Sequence, residues 1–171
     1  MSLLKTLKSL KSERLQSLIE MDNTPLIYTK VREVKSPNRA HPTDGGIDFY
    51  VPNEFKKIKL GHGEDINIDS GLKGVVPKGF ILKIEGKSGV SINKKLDQLA
   101  DIIDSDYRGE IHYHLINSGK KPCTIEAGDK IVQGILYPVS LCNTKEVSNK
   151  DYEIYCNTDR GEGGFGSTGT K

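Results

Sequence analysis

No apolar run in this 171-residue chain approaches the roughly 18 residues of a membrane-spanning helix, so a soluble protein is expected. Cysteine is sparse. Cys123, Cys142 and Cys156 are scattered, odd in number and without CxxC or zinc spacing. That pattern excludes a disulfide framework and points to reduced thiols in a cytosolic compartment. Excess charge is also missing. The net charge of +2 is too small for a nucleic-acid-binding domain, and it sits entirely in residues 1–20, where Lys5, Lys8, Lys11 and Arg14 face Glu13 and Glu20. The remainder holds 21 basic and 21 acidic residues, so no basic face is implied. Internal repeats are absent too.

Glycine and proline are what the chain does have. Eighteen Gly and seven Pro make it turn-rich, which fits a β architecture better than a helical bundle. The length is that of one domain. Only the first residues have helical texture. Leu3, Leu7, Leu10, Leu18 and Ile19 recur at helical spacing, Leu4 and Leu15 widen the stripe, and Asn23-Thr24-Pro25 ends it. An accessory amphipathic helix is expected over 1–22; a targeting peptide is disfavoured by its two Glu and scarcity of Arg.

Short strands separated by turn clusters follow, expected over 26–34, 47–51, 66–68, 72–76, 80–85, 110–117, 122–125 and 130–137. Such spacing suggests a mainly β domain over 23–157, a sandwich or a jelly-roll barrel. Residues 158–171 are glycine-rich and polar, the composition of a flexible C-terminal arm that orders on contact.

Three segments bring chemistry to this otherwise neutral β domain. The arm, Arg160-Gly161-Glu162-Gly163-Gly164-Phe165-Gly166-Ser167-Thr168-Gly169, offers amides, hydroxyls and a guanidinium that suit phosphate oxygens, and one ring that can stack on a base. Gly86-Lys87-Ser88-Gly89 is a smaller phosphate-type contact or simply a turn. In Asp104-Ser105-Asp106-Tyr107-Arg108-Gly109-Glu110 the paired carboxylates could bind a divalent cation, activate water, or cap a turn. His112 and His114 fall on one face of a strand, a pattern that fits a packed interface better than a metal site.

Taken in order, AHPTDGGIDFYVP, GKSGVSINKK, LADIIDSDYRGE, AGDKIVQGILYPV and RGEGGFGSTG resemble the five motifs of the trimeric deoxyuridine triphosphatase (dUTPase) family, from about Leu26 to Lys171. The resemblance implies a jelly-roll homotrimer whose sites each draw on three subunits, with the arm crossing from one to close over the nucleotide. The implied reaction is Mg²⁺-dependent hydrolysis of dUTP to dUMP and pyrophosphate by attack of water on the α-phosphorus. It would limit uracil in DNA and supply dUMP for thymidylate synthesis. A cytoplasmic enzyme with no nucleic-acid or membrane partner is implied.

By the same resemblance, Asp104 matches the general base and Tyr107 the ring beneath the deoxyribose, which would exclude a 2′-OH. Lys87, Ser88, Gly89 and Gln133 match phosphate contacts. Asp48 matches the carboxylate that holds Mg²⁺ through water. Arg160 matches a γ-phosphate contact, Phe165 the ring over uracil, and Gly166, Ser167 and Thr168 the donors beside the terminal phosphate. Gln98, Ile102 and Ile103 fall in the hairpin that reads uracil. Two departures stand out. Lys87 replaces the usual Arg, losing its two-pronged geometry. Asp101 replaces a usual Gly in a hairpin about two residues short, so either the hairpin changes shape or Asp101 points to solvent. The competing readings are a dUTP-binding regulatory protein acting on a partner and a dCTP deaminase-like relative; GKSG, Tyr107 and Phe165 count against the deaminase and Asp104 against the regulator.

Overall fold

The computed structural model describes residues 25–156, 158–159 and 161–163. The helix expected over 1–22 lies outside them. In chain order the strands are β1 (Ile27–Lys30), β2 (Ile47–Phe49), β3 (Ile58–Leu60), β4 (Asp65–Val75), β5 (Phe80–Gly86), β6 (Leu96–Gln98), β7 (Ile102–Ile103), β8 (Glu110–Asn117), β9 (Cys123–Ile125) and β10 (Val132–Pro138). Helix α1 (Ser88–Lys94) lies between β5 and β6, and α2 (Asn149–Cys156) follows β10. Two four-stranded sheets, ordered β1-β4-β8-β6 and β2-β10-β5-β7, accompany the small β3-β9 pair, and every pairing is antiparallel. This is the mainly β, jelly-roll-like fold expected.

Alternation builds the core. Along β8, Ile111, Tyr113, Leu115 and Asn117 are buried while Glu110, His112, His114 and Ile116 face outward. On β5, Leu82 and Ile84 point in and Lys83 and Glu85 point out. The inner faces meet where Phe49 of β2 packs edge-on against Tyr113 of β8, ring centroids 6.3 Å apart. Each such fully buried side chain contributes about 1.5–3 kcal/mol. Burial also pushes the Tyr113 phenol up, so it stays neutral. Asn117, the buried polar residue at the end of β8, is satisfied: its amide donates to Leu60 O at 2.8 Å and Lys121 O at 3.0 Å, and its oxygen accepts from Gly119 N.

Where two strands were expected over 66–68 and 72–76, one bulged strand runs. The β4–β8 register shifts between Asp69 and Lys73. Gly71 takes φ +76° there, a conformation that favours glycine, and its amide donates to Glu110 Oε1 at 2.8 Å. Glu110 also receives Arg32 Nε at 2.9 Å, and Arg32 reaches Glu54 and Asp69. β3, β6 and β7 were not expected; they are two or three residues long, too short for a periodic signal.

The chain divides into two compact units after Ser140. The second contains α2, also unexpected. Ser148 caps it by accepting from Asp151 N at 3.2 Å and donating to Asp151 Oδ2 at 2.8 Å. Cys123 is buried, whereas Cys142 and Cys156 are exposed, and all three are free thiols.

Burial raises the affinity of Glu110 for a proton, but Arg32 and the Gly71 amide outweigh it and hold the carboxyl below its usual range. A depressed carboxyl stabilises the fold above its unfolded pKa and loses that contribution as pH falls through its folded pKa. Glu110→Gln should therefore lower stability by about 1–2 kcal/mol at neutral pH, with the deficit shrinking below about pH 4, as read by denaturant titration at several pH values.

Candidate active site

The segment after β7 is a self-contained turn. Tyr107 N donates to Asp104 O at 3.2 Å, and Arg108 Nη1 donates to Ser105 O at 2.9 Å and Tyr107 O at 2.8 Å. The Tyr107 hydroxyl donates to Glu110 O at 2.9 Å. Gly109 makes this possible, because a Cβ there would overlap the Tyr107 ring and hydroxyl. Arg108 and Gly109 thus shape the turn that presents Asp104, and Glu110 anchors it to Gly71 and Arg32. Asp104 is exposed at the edge of an open cavity of about 400 Å³, which Ala100, Ile102, Ile103 and Tyr107 line from the loop and Asn67, Glu110, His112 and His114 line from the sheet.

A second recess, of about 480 Å³, is lined by Glu85, Gly86, Lys87, Ser88, Gln98 and Gln133, among others. Register explains it. Asp48, Gln133 and Glu85 stand side by side across β2, β10 and β5, on the outer face. Gln133 folds over Gly46, where a Cβ would overlap its amide, and donates to Gly86 O at 3.0 Å. Ser88 and Gly89 open α1, where backbone amides lack acceptors within the helix. A Cβ at Gly89 would meet nothing within 4 Å, so that approach is open.

Asp48 is only 4 % exposed. Its carboxylate pairs with Lys87, and with Lys130 at 2.8 Å. Burial alone would raise its pKa; hydrogen bonds from Lys130 and Lys87 overcome that and keep it anionic. Lys130, whose own pKa is raised by this contact, was missed in the sequence, where it reads as the start of a strand. Its place three residues before Gln133 was the available signal.

The structure therefore sorts the candidate residues into two groups. Ile102, Ile103, Asp104 and Tyr107 share one recess; Lys87, Ser88, Gln98 and Gln133 share the other, with Asp48 held against Lys87. Arg160, Phe165, Gly166, Ser167 and Thr168 lie outside the described residues.

The expected hairpin from Gln98 to Ile103 is not a hairpin. β6 pairs with β8 and β7 with β5, so residues 99–101 cross from one sheet to the other. Asp101 keeps ordinary backbone geometry, since Lys95 is the only non-glycine with positive φ among the described residues. Its carboxylate does not point to free solvent but lies 3.4 Å from Lys83 Nζ.

Solved structures share this fold. The dUTPase of Staphylococcus bacteriophage 80alpha, determined with dUpNHpp, superposes with a TM-score of 0.75 at 22% identity, covering 86% of this chain and 100% of that one. A mutant dUTPase from phage phi11 of S. aureus, described for its coordination of a structural Mg(II) ion, gives 0.65 at 21% identity, covering 74% and 98%. Sequence comparison goes further. The chain is 36% identical over 152 residues to the deoxyuridine 5'-triphosphate nucleotidohydrolase of Corynebacterium jeikeium, covering 86% of this chain and 95% of that protein. It is 32% identical over 162 residues to that of Candida albicans, covering 95% and 96%. The dUTPase family model matches residues 32–169, and the chain belongs to that family.

Two neighbouring glycines test the site's packing. Gly46→Ala should displace Gln133 and cost about 1 kcal/mol, while Gly45→Ala, whose Cβ meets nothing within 4 Å, should stay within about 0.5 kcal/mol of wild type in denaturant titrations.

Proposed function

We propose that this protein is a dUTP diphosphatase, hydrolysing dUTP to dUMP and pyrophosphate and thereby limiting uracil in DNA while supplying dUMP for thymidylate synthesis. The observation that carries the reading is the exposed Asp104, held by a turn with its own hydrogen bonds, at the mouth of a cavity beside Tyr107. Asp104 acts as general base, taking a proton from the water that attacks the α-phosphorus. An exposed carboxylate on a fixed turn meets the first requirement of a base, which is reach. Tyr107 stands beneath the sugar, where its ring leaves no room for a 2′-OH.

Ser88, the α1 amides and Gln133 take the phosphates. Lys87 contributes charge without the bidentate geometry of arginine. Its amine is engaged by Asp48, so phosphate binding would share it between two anions.

The donor set decides what kind of metal fits. Among the described residues no three His, Cys, Asp or Glu side chains converge to hold an ion. One buried carboxylate, Asp48, fits Mg²⁺ that arrives on the triphosphate and keeps its waters, since Mg²⁺ dehydrates reluctantly and takes oxygens from substrate phosphates. To hold it through water Asp48 would have to exchange its pairing with Lys87 or Lys130, and the ion would neutralise charge on the leaving pyrophosphate.

The two recesses have no lining residue in common, which supports sites completed between chains of a homotrimer, the base from one subunit and the phosphate contacts from another. Arg160, Phe165, Gly166, Ser167 and Thr168 then close over the nucleotide, excluding water and fixing the triphosphate in line. Among the described residues no helix is long and apolar enough to cross a membrane, in keeping with a cytoplasmic enzyme.

The decisive assay is pyrophosphate release from dUTP, dTTP, dCTP and UTP with Mg²⁺. Turnover confined to dUTP is expected; no release above blank would remove the activity. Asp104→Asn should retain nucleotide binding and lose about 10²–10⁴-fold in kcat, because an amide cannot accept the proton. Truncation before Arg160 should leave the solution mass that of a trimer and cripple hydrolysis; an unchanged rate would mean that the arm is no lid.

A further inference from the structure

Asp104 follows directly on β7, and β7 is only two residues long. Its pairing with β5 consists of Leu82 opposite Ile103 and Lys83 opposite Ile102. So short a strand is a weak anchor for a group that must meet a water aimed at phosphorus with sub-ångström accuracy. The preceding residues compensate. Leu99 N donates to His114 O at 2.8 Å, Gln98 Nε2 to Ala100 O at 2.7 Å, and Ile84 N to Asp101 O at 2.7 Å. The last of these extends the β5 contact by one residue. Beside it, the Asp101 carboxylate lies 3.4 Å from Lys83 Nζ, which also donates to Glu85 Oε1 at 2.5 Å. All three side chains are about one-third exposed, so the ion pairs are partly shielded from water.

We propose that Lys83 and Asp101 form a brace that sets the position of Asp104, making them positioning residues for the hydrolytic step. Lys83 links three things: the strand opposite β7, the loop that leads into it, and through Glu85 the wall of the second recess. A glycine at 101 would offer the same backbone carbonyl but no carboxylate. The aspartate therefore does by ionic attachment what two strand pairs do incompletely. The inference rests on the functional reading above for its kinetic consequence, but the brace itself is independent of it.

The test uses Asp101→Asn, Asp101→Gly, Lys83→Met, Lys83→Arg and the double variant Lys83→Met/Asp101→Asn in the full chain. Two quantities are read: kcat and KM for dUTP, and hydrogen exchange of the Ile84 amide. Loss of either charge should lower kcat by about 3–10-fold with KM changed by less than about twofold, the double variant being no worse than the worse single because the two groups act as one unit. Lys83→Arg should restore kcat to within about twofold of wild type, since the charge is retained. Ile84 exchange should accelerate by about tenfold in the Met, Asn and Gly variants. Additive losses in the double variant, a rise in KM alone, or unchanged Ile84 exchange would each overturn the proposal. If wild type itself releases no pyrophosphate, the functional reading fails, and Ile84 exchange still decides whether the brace exists.

Discussion

A buried carboxylate needs partners, and the architecture beside the second recess follows from how Asp48 finds them. It sits on the outer face of β2 yet is almost wholly covered, a position that would be strongly unfavourable for a lone anion. Lys87, from the turn after β5, and Lys130, from the turn before β10, converge on it. Three chain segments far apart in sequence are thereby tied at one point, and the cluster carries one net positive charge. Of the three, Lys87 also lines the recess where Ser88 and Gln133 stand.

Asp104, the proposed general base, is supported differently. Nothing buries Asp104; it is presented by a turn whose hydrogen bonds are all local, between Asp104 and Glu110, and which is then fastened to the body through Glu110, Gly71 and Arg32. The bulge in β4 and the turn from Asp104 to Glu110 are therefore one mechanical unit. Within the run, Asp104, Ser105, Tyr107, Arg108 and Glu110 are joined by these bonds.

Long alternating strands were legible in the sequence because period-two patterning over seven or eight residues is unambiguous, as in β5, β8 and β10. β6 and β7 were not, since two or three residues cannot show a period, and with them went the crossing of residues 99–101 between sheets. Motif order singled out Asp104, Tyr107, Lys87, Ser88 and Gln133 as candidates. Their separation into two recesses was not, because order along a chain says nothing about which face each residue reaches. Lys130 and Lys83 escaped notice for another reason. A lysine in a polar turn or on an outward strand position looks like ordinary solvated charge until its partner is seen. α2 has Ser148 and Asp151 as a starting signal, but lacks the apolar stripe that would announce a packed helix.

The distribution of sulfur has a practical side. Cys123 lies inside the β framework, where burial raises its thiol pKa and suppresses the thiolate, while Cys142 and Cys156 stand exposed in the second unit. An alkylating fluorophore applied to the native protein will accordingly mark the stretch between the β framework and the glycine-rich end and leave the interior untouched. The molecule carries its own handles for watching that end by fluorescence, with no engineered attachment point.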